Sequence, residues 1–178
     1  MVPSASNGWK VRGETLDWID ATAHGRAYVK GAILPMTGSI WAETNITFPS
    51  SGKTGPTSIL LRFNDADKNL GNGADDFAGY EVGISPGHVN CGWHDHDYSD
   101  LGSKPAASAV VGKPLRFHVR LEQSAQQLTF TYSIDGKVVA SFVDKDKAHI
   151  NSLKGADGIG LRGYNGLASF SGLKYGTA

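Results

Sequence analysis

The chain of 178 residues contains a single cysteine, Cys91, so it cannot form an internal disulfide. A lone cysteine within an alternating strand pattern is typical of a small, buried, apolar residue. A nucleophilic cysteine would need a neighbouring base and a lowered pKa, and no sequence motif around Cys91 indicates either. We therefore expect Cys91 to be structural.

The sequence also lacks an excess of either charge, because Lys and Arg total 17 and Asp and Glu total 17. Proteins that hold nucleic acid by its phosphates carry a basic face, and binding to an anionic membrane surface needs one too. The neutral chain argues against both partners. Residues 1–7 have no basic start followed by an apolar run, so we expect neither a signal peptide nor a membrane span.

Helical periodicity is nearly absent, whereas apolar and polar residues often alternate. Every second residue from Leu115 to Leu121 is apolar, and the run 128–134 repeats the pattern. Asp135-Gly136 then predicts a tight hairpin turn, since this pair tolerates the positive φ that the turn requires. With 23 glycines and short strands at regular spacing, the sequence predicts an all-β fold. We expect a two-sheet antiparallel β-sandwich of the jelly-roll type, in one domain over 1–178.

Two long segments, 65–79 and 94–113, are expected to be loops, and loops of this length in a compact domain are often functional. The charged run 144–147 is expected to form a solvated turn rather than the start of a helix.

Two parts of the chain, 58–65 and 80–98, combine an apolar face with large polar and aromatic side chains. Sugar recognition needs this mixture, because an aromatic ring offers a flat face to the C–H groups of a sugar. Arginine adds a planar fork of donors that suits hydroxyls or carboxylates. The predicted ligand-binding residues are Arg62, Asn64, Tyr80, Glu81, Trp93, His94, His96, Tyr98, Arg162 and Tyr164.

Structural alternatives exist for several of these residues. For Arg62 the alternative is a surface ion pair with Glu81 on a neighbouring strand, and both roles are compatible because such a pair can jointly grip a diol. For Trp93 and Tyr164 the alternative is burial in the core. The sequence favours structural roles for Trp18 and Trp41 and leaves the role of Trp9 open.

Two patterns bear on metal binding. His94 and His96 share one face if their strand continues, but a transition-metal site would need a third ligand such as Asp100 or His118. Hydrogen bonding to a ligand or to the loop is therefore favoured for the two histidines. The segment 65–76 is rich in Asp and Asn, which are ordinary turn formers and also supply the oxygen ligands of calcium. The candidate ligands for a structural calcium are Asp65, Asp67 and Asp75.

A series of motifs in a fixed order supports a family resemblance. They are Arg26-Ala-Tyr-Val29, Ile59-Leu-Leu-Arg-Phe63, Tyr80-Glu-Val-Gly-Ile84, Arg116-Phe-His-Val-Arg120, Ile134-Asp-Gly-Lys137, Gly158-Ile-Gly-Leu-Arg162 and Phe170-Ser-Gly-Leu-Lys174. This order resembles the concanavalin A-like β-sandwich modules of carbohydrate-active enzymes. Within them the chain is most similar to the laminin-G-like group, which includes the fructan-binding modules of levanases and related keto-disaccharide hydrolase domains.

The resemblance implies two curved sheets, with the ligand on the concave sheet or on the loops at one end. The matching positions are Arg62, Tyr80, Glu81 and the strand that carries Trp93.

The sequence favours a binding module over an enzyme. Glycoside hydrolysis usually needs two carboxylates roughly 5–9 Å apart, and no predicted strand presents an alternating pair of them. No Gly-x-Ser-x-Gly elbow, phosphate loop or Cys-x-x-Cys pair occurs. We therefore predict a non-catalytic module that recognises a polysaccharide or glycan end and targets a linked glycan-active enzyme.

Such a module would be a monomer or part of a larger bacterial protein, secreted or at the cell surface. Two alternatives remain. One is a small glycoside hydrolase, lyase or metal-dependent jelly-roll enzyme, and the other is a laminin-G-like protein-adhesion module.

Overall fold

The structure is a computed structural model that describes residues 2–3, 8–29, 31–32, 34–35, 37–64, 77–95, 97–107, 109–152 and 158–178. Within these residues, two seven-stranded antiparallel sheets share one apolar core, which confirms the predicted β-sandwich. In the first sheet the strands lie in the order β1 (Val2–Pro3), β4 (His24–Tyr28), β13 (Gly158–Tyr164), β6 (Thr57–Asn64), β7 (Ala78–Ile84), β8 (Val89–Asp95) and β9 (Tyr98–Asp100). In the second sheet the order is β12 (Lys137–Asp144), β11 (Leu128–Ile134), β10 (Pro114–Gln123), β5 (Gly38–Thr47), β14 (Ala168–Thr177), β3 (Thr15–Trp18) and β2 (Trp9–Arg12).

Side-chain alternation along the strands creates the core between the sheets. In β10 every second residue from Leu115 to Leu121 is buried, because successive side chains of a strand point to opposite faces of its sheet. Polar and aromatic contacts then join the sheets. The Tyr132 hydroxyl of β11 donates to the Asn90 carbonyl of β8 at 3.0 Å, and the rings of Tyr80 and Phe130 lie 4.7 Å apart.

The hairpin between β11 and β12 follows its predicted turn. Asp135 and Gly136 have φ angles of 50° and 82°, the positive values that this two-residue turn needs. The prediction for the next charged run was wrong, because a short helix, α1 (Lys147–Ser152), begins at its last residue. The carboxylate of Asp146 caps that helix by accepting from the Ala148 amide at 2.8 Å. Among the described residues, no helix is long and apolar enough to cross a membrane.

Candidate functional site

A cavity of about 180 Å³ opens on the outer face of the first sheet, which is the face turned away from the core. Its lining combines a carboxylate, an amide, cationic groups and aromatic rings. The lining residues are Pro56, Glu81, His88, Asn90, Tyr98, Lys104, Arg162 and Tyr164.

Strand register places the floor of this pocket. Arg162 of β13, Ser58 of β6, Gly83 of β7 and Asn90 of β8 lie directly opposite one another on four adjacent strands. Gly83 is the one residue in this row without a side chain, and a β-carbon there would overlap the side-chain amide of Asn90. The Asn90 side chain therefore lies over its neighbour strand and closes one side of the floor.

Glu81 lies in the adjacent row of β7 and is 2% exposed. Its carboxylate accepts from Ser58 Oγ at 2.6 Å, from His94 Nε2 at 2.8 Å and from Arg162 Nη1. Burial alone would raise the pKa of Glu81, but the Arg162 charge and the hydrogen bonds from His94 and Ser58 outweigh it and lower this pKa to about 2. Because the carboxylate is ionised, Nε2 must be the protonated nitrogen of His94.

The rings of Tyr98 and Tyr164 form two walls of the pocket. Tyr98 lies over the backbone of Gly92, where a β-carbon would overlap its ring. Its hydroxyl donates to Asp100 Oδ1 at 2.6 Å and accepts from Asn90 Nδ2 at 3.0 Å. Burial and the hydrogen bond to Asp100 raise the pKa of Tyr98. At the opposite side, the guanidinium carbon of Arg162 lies 4.8 Å from the centre of the Tyr164 ring.

The side-chain oxygen of Asn90 has no hydrogen-bond partner within the described part of the chain, although the residue is only 6% exposed. Its amide nitrogen is already committed to Tyr98, so the oxygen is the acceptor that remains. A buried polar atom without a partner costs about 1–3 kcal/mol. That oxygen has almost no accessible surface and lies against Gly83, so Asn90 contributes to the pocket as the donor that holds the Tyr98 hydroxyl.

The structure brings together four of the predicted ligand-binding residues at this pocket: Glu81, Tyr98, Arg162 and Tyr164. His94 lies directly behind them, with no exposed surface. It contacts the carboxylate of Glu81, and its ring stacks on Phe77 at 4.1 Å between centroids. His94 therefore orients the carboxylate rather than lining the cavity.

Arg62 lies away from the pocket and is 1% exposed. Its Nε donates to Gln123 Oε1 at 2.7 Å, and its Nη1 donates to the Leu34 carbonyl at 3.3 Å. Arg62 has a φ of 53°, and the pairing of β6 with β7 shifts between Leu61 and Asn64. Glu81 forms its ion pair with Arg162, so the structure does not place this carboxylate with Arg62 as the sequence alternative had it.

Tyr80 and Trp93 face the core rather than the pocket, and they are 0% and 4% exposed. They lie directly opposite each other on β7 and β8, with ring centroids 5.0 Å apart. The Tyr80 hydroxyl donates to Asp144 Oδ2 at 2.6 Å, while Trp93 stacks on His149 at 4.8 Å. Neither ring presents a face to a sugar in this structure, and Trp93 adopts the buried alternative.

Several predicted residues lie outside the described part of the chain: His96, and the candidate calcium ligands Asp65, Asp67 and Asp75. The strand position of Asn64 is described, but its side chain is not. Among the described residues, no group of three or more His, Cys, Asp or Glu side chains could hold a metal ion.

Sequence reasoning missed Asn90, together with Pro56, His88 and Lys104. The signal for Asn90 was its parity with Gly92 and His94 on β8, since residues two apart in a strand share a face. Lys104 lies at the rim, where its ammonium is 3.1 Å from the Asp100 carboxylate. Its position depends on the path of the chain after β9, which no sequence pattern indicated.

Comparison of structures, rather than of sequences, identifies known proteins similar to this chain. No family model matches the sequence, and no curated protein matches it. The carbohydrate binding module CBM66 from Bacillus subtilis superposes with a TM-score of 0.68 at 15% identity, over 96% of this chain and 92% of that one.

Two further structures are similar at lower scores. The potassium-bound carbohydrate recognition domain of Emp46p has a TM-score of 0.61 at 13% identity, over 94% of this chain and 84% of that one. A family 7 alginate lyase, A1-II′, has a TM-score of 0.58 at 9% identity, over 98% of this chain and 85% of that one. At such identities the likeness concerns the fold. It confirms the concanavalin A-like β-sandwich that the sequence motifs predicted.

Proposed function

We propose that this chain is a carbohydrate-binding module that holds a sugar in the pocket formed by Glu81, Asn90, Tyr98, Arg162 and Tyr164. The observation that carries the proposal is a single cavity in which polar groups, among them Arg162 and Lys104, lie beside the rings of Tyr98 and Tyr164. The similarity in fold to a carbohydrate binding module and to a carbohydrate recognition domain supports the same ligand class.

The chemistry of the lining suits a polyol. Sugar hydroxyls both donate and accept, so they can bond to the polar groups of the lining, such as Lys104 at the rim. The rings of Tyr98 and Tyr164 add apolar surface beside these polar groups. The cavity of about 180 Å³ is smaller than the roughly 300–1,000 Å³ typical of pockets for drug-sized ligands. It fits the end of a glycan better than a stretch of chain.

We also propose that the module is non-catalytic and serves to hold a linked glycan-active enzyme on its substrate. A general acid needs a pKa near the working pH, whereas Glu81 has a pKa of about 2 and is fixed by three donors. The raised pKa of Tyr98 keeps its hydroxyl protonated, so the phenolate that would act as a base is not populated. Both groups are better suited to hydrogen bonding than to proton transfer.

A glycan-array screen of the purified chain, followed by calorimetry on each hit, tests the proposal. We expect Asn90→Ala and Tyr164→Ala to weaken binding of a hit at least tenfold. Matched controls are Asn151→Ala on α1 and Tyr175→Ala on β14, which are exposed and outside the pocket. The proposal fails if no glycan binds, or if both pocket variants retain wild-type affinity.

Two additional arms separate the finer parts of the proposal. Incubation of each hit with the chain should release no product, and product formation would favour a lyase or hydrolase instead. Repeating the screen with calcium and with a chelator tests whether Asp65, Asp67 and Asp75 form a structural calcium site. Loss of binding in the presence of the chelator would support that site. Equal binding with calcium and with the chelator would argue against its importance for the ligand.

A further inference from the structure

A tryptophan lies flat on the outer face of the second sheet, on the opposite side of the molecule from the pocket. Trp41 of β5 is directly opposite Gly176 of β14. A β-carbon at Gly176 would lie 3.2 Å from Trp41 Nε1 and 3.3 Å from Trp41 Cζ2, so the indole rests against this bare backbone. Its Nε1 donates to the Thr177 carbonyl at 3.3 Å, which fixes the orientation of the ring.

His118 of β10 extends this flat surface. The rings of Trp41 and His118 are nearly parallel, at an angle of 17° and with centroids 6.0 Å apart. Both residues are half-buried and lie on the solvent side of their strands. Burial lowers the pKa of His118, and the Arg116 and Arg120 charges lower it further against the opposing effect of Glu43. We call the two rings the Trp41–His118 platform.

Two ion pairs border the platform. Arg116 Nε lies 3.7 Å from Glu43 Oε2, and Arg120 Nη2 lies 3.2 Å from Glu122 Oε1. Each pair contains one charge of each sign, and Lys174 of β14, which lies directly opposite Glu43, adds one positive charge to the border. Its partly exposed side chains supply donors and acceptors beside the rings.

An outward aromatic surface of this kind contributes little to the core, because the inner face of β5 already supplies buried residues such as Ile40 and Ile46. Flat aromatic rings flanked by donors and acceptors match a surface of sugar rings, which presents C–H faces and hydroxyls together. The platform therefore differs from the enclosed pocket in the shape of the ligand that it fits.

We propose that the Trp41–His118 platform is a second carbohydrate contact, which binds the flat surface of an insoluble polysaccharide. This site lies on the other sheet and does not depend on the pocket. A chain attached to a solid surface through the platform would keep its pocket facing away from that surface. Where both sites reach one material, the two contacts would add avidity.

Adsorption to solid polysaccharides tests this proposal. The probes are microcrystalline cellulose, chitin and curdlan, and the readout is depletion of the protein from solution. We expect the wild type to adsorb to at least one of them, and Trp41→Ala to lower the partition coefficient at least fivefold. Trp41→Phe keeps a flat ring and should retain most of the adsorption. Tyr175→Ala removes an exposed ring on β14 and is the matched control.

Thermal unfolding of each variant shows whether it is folded before adsorption is compared. The proposal is overturned if the wild type adsorbs to none of the three solids, or if Trp41→Ala adsorbs as well as the wild type. Pocket binding is measured separately with soluble glycans by calorimetry. Failure of one site is thereby distinguished from failure of the other.

Discussion

The ring of Tyr98 covers Gly92 on the strand beside its own, and the pocket depends on this contact. Because glycine has no side chain, Tyr98 can approach the sheet closely enough to accept from Asn90 and donate to Asp100. The position of the Tyr98 ring thus depends on the absence of a side chain at Gly92 of β8. A similar relation holds between Asn90 and Gly83 at the floor.

Gly92→Ala should displace the Tyr98 ring and weaken sugar binding at least tenfold. The added methyl group would overlap the ring, so the ring must move and its hydrogen bond with Asn90 must lengthen or break. Calorimetry with an array hit measures the effect. Gly87→Ala is the matched control, since its β-carbon meets open space, and it should bind as the wild type does. Equal affinity of the two variants would contradict the prediction.

Glu81→Gln should change how stability depends on pH. A carboxyl group with a lowered folded-state pKa stabilises the protein above its unfolded pKa, and this contribution is lost as the pH falls through the folded pKa. For Glu81 these values are 4.5 and about 2. Between them, the wild-type free energy of unfolding should therefore fall by about 3 kcal/mol more than that of the variant.

Urea denaturation of both proteins from pH 7 to pH 2 measures this difference. At pH 7 the variant should be less stable by about 3–5 kcal/mol, because Arg162 is left as an uncompensated buried charge. Ser58→Ala removes one donor only and should give a smaller loss of stability. A stability difference between the wild type and Glu81→Gln that does not shrink with falling pH would refute the explanation.

Arg62→Met should destabilise the fold without weakening ligand binding. The variant keeps the aliphatic stem but loses the hydrogen bonds to Gln123 and to the carbonyl of Leu34. We expect a loss of about 3 kcal/mol in the free energy of unfolding. The exposed Arg116→Met should cost under about 0.5 kcal/mol. Weakened sugar affinity in a folded Arg62→Met would show that Arg62 acts on the ligand after all.

Tyr80→Phe should also act on stability. It removes the hydroxyl that joins the first sheet to Asp144 of the second, and a hydrogen bond to a charged group contributes about 2 kcal/mol. Asp144 keeps its contact with His149 at 2.9 Å, which limits the loss. Tyr175→Phe on the exposed end of β14 is the control and should change stability by less than about 0.5 kcal/mol. Equal unfolding midpoints for the two variants would contradict the role assigned to the Tyr80 hydroxyl.

The sequence was sufficient for the sandwich because its strands alternate clearly. The strands β10, β11 and β12 and the turn at 135–136 follow directly from period-two patterning and turn chemistry. Parity also placed Glu81 on the face opposite Tyr80. The same rule would have placed Trp93 inside, since it shares parity with the buried Cys91. Trp93 was instead predicted to contact a sugar, because aromatic rings often stack on sugars.

The partners of Arg62 and Glu81 were not readable from the sequence. The irregular pairing near Arg62 breaks the alternation of β6, and a local bulge of this kind has no reliable sequence signature. Glu81 pairs with Arg162, which is 81 residues away in the chain. Such a partner depends on the strand order β13-β6-β7, and alternation within single strands does not determine that order.

The rate of thiol labelling at Cys91 can report how often the protein opens. Its side chain is 1% exposed, and burial raises the pKa of its thiol, so a thiol-reactive dye meets neither an accessible sulfur nor a thiolate while the sandwich is closed. Labelling must wait until the two sheets part. With no other cysteine in the chain, the rate of dye incorporation would report the frequency of that opening, and a bound sugar that bridges β8 and β13 would slow it.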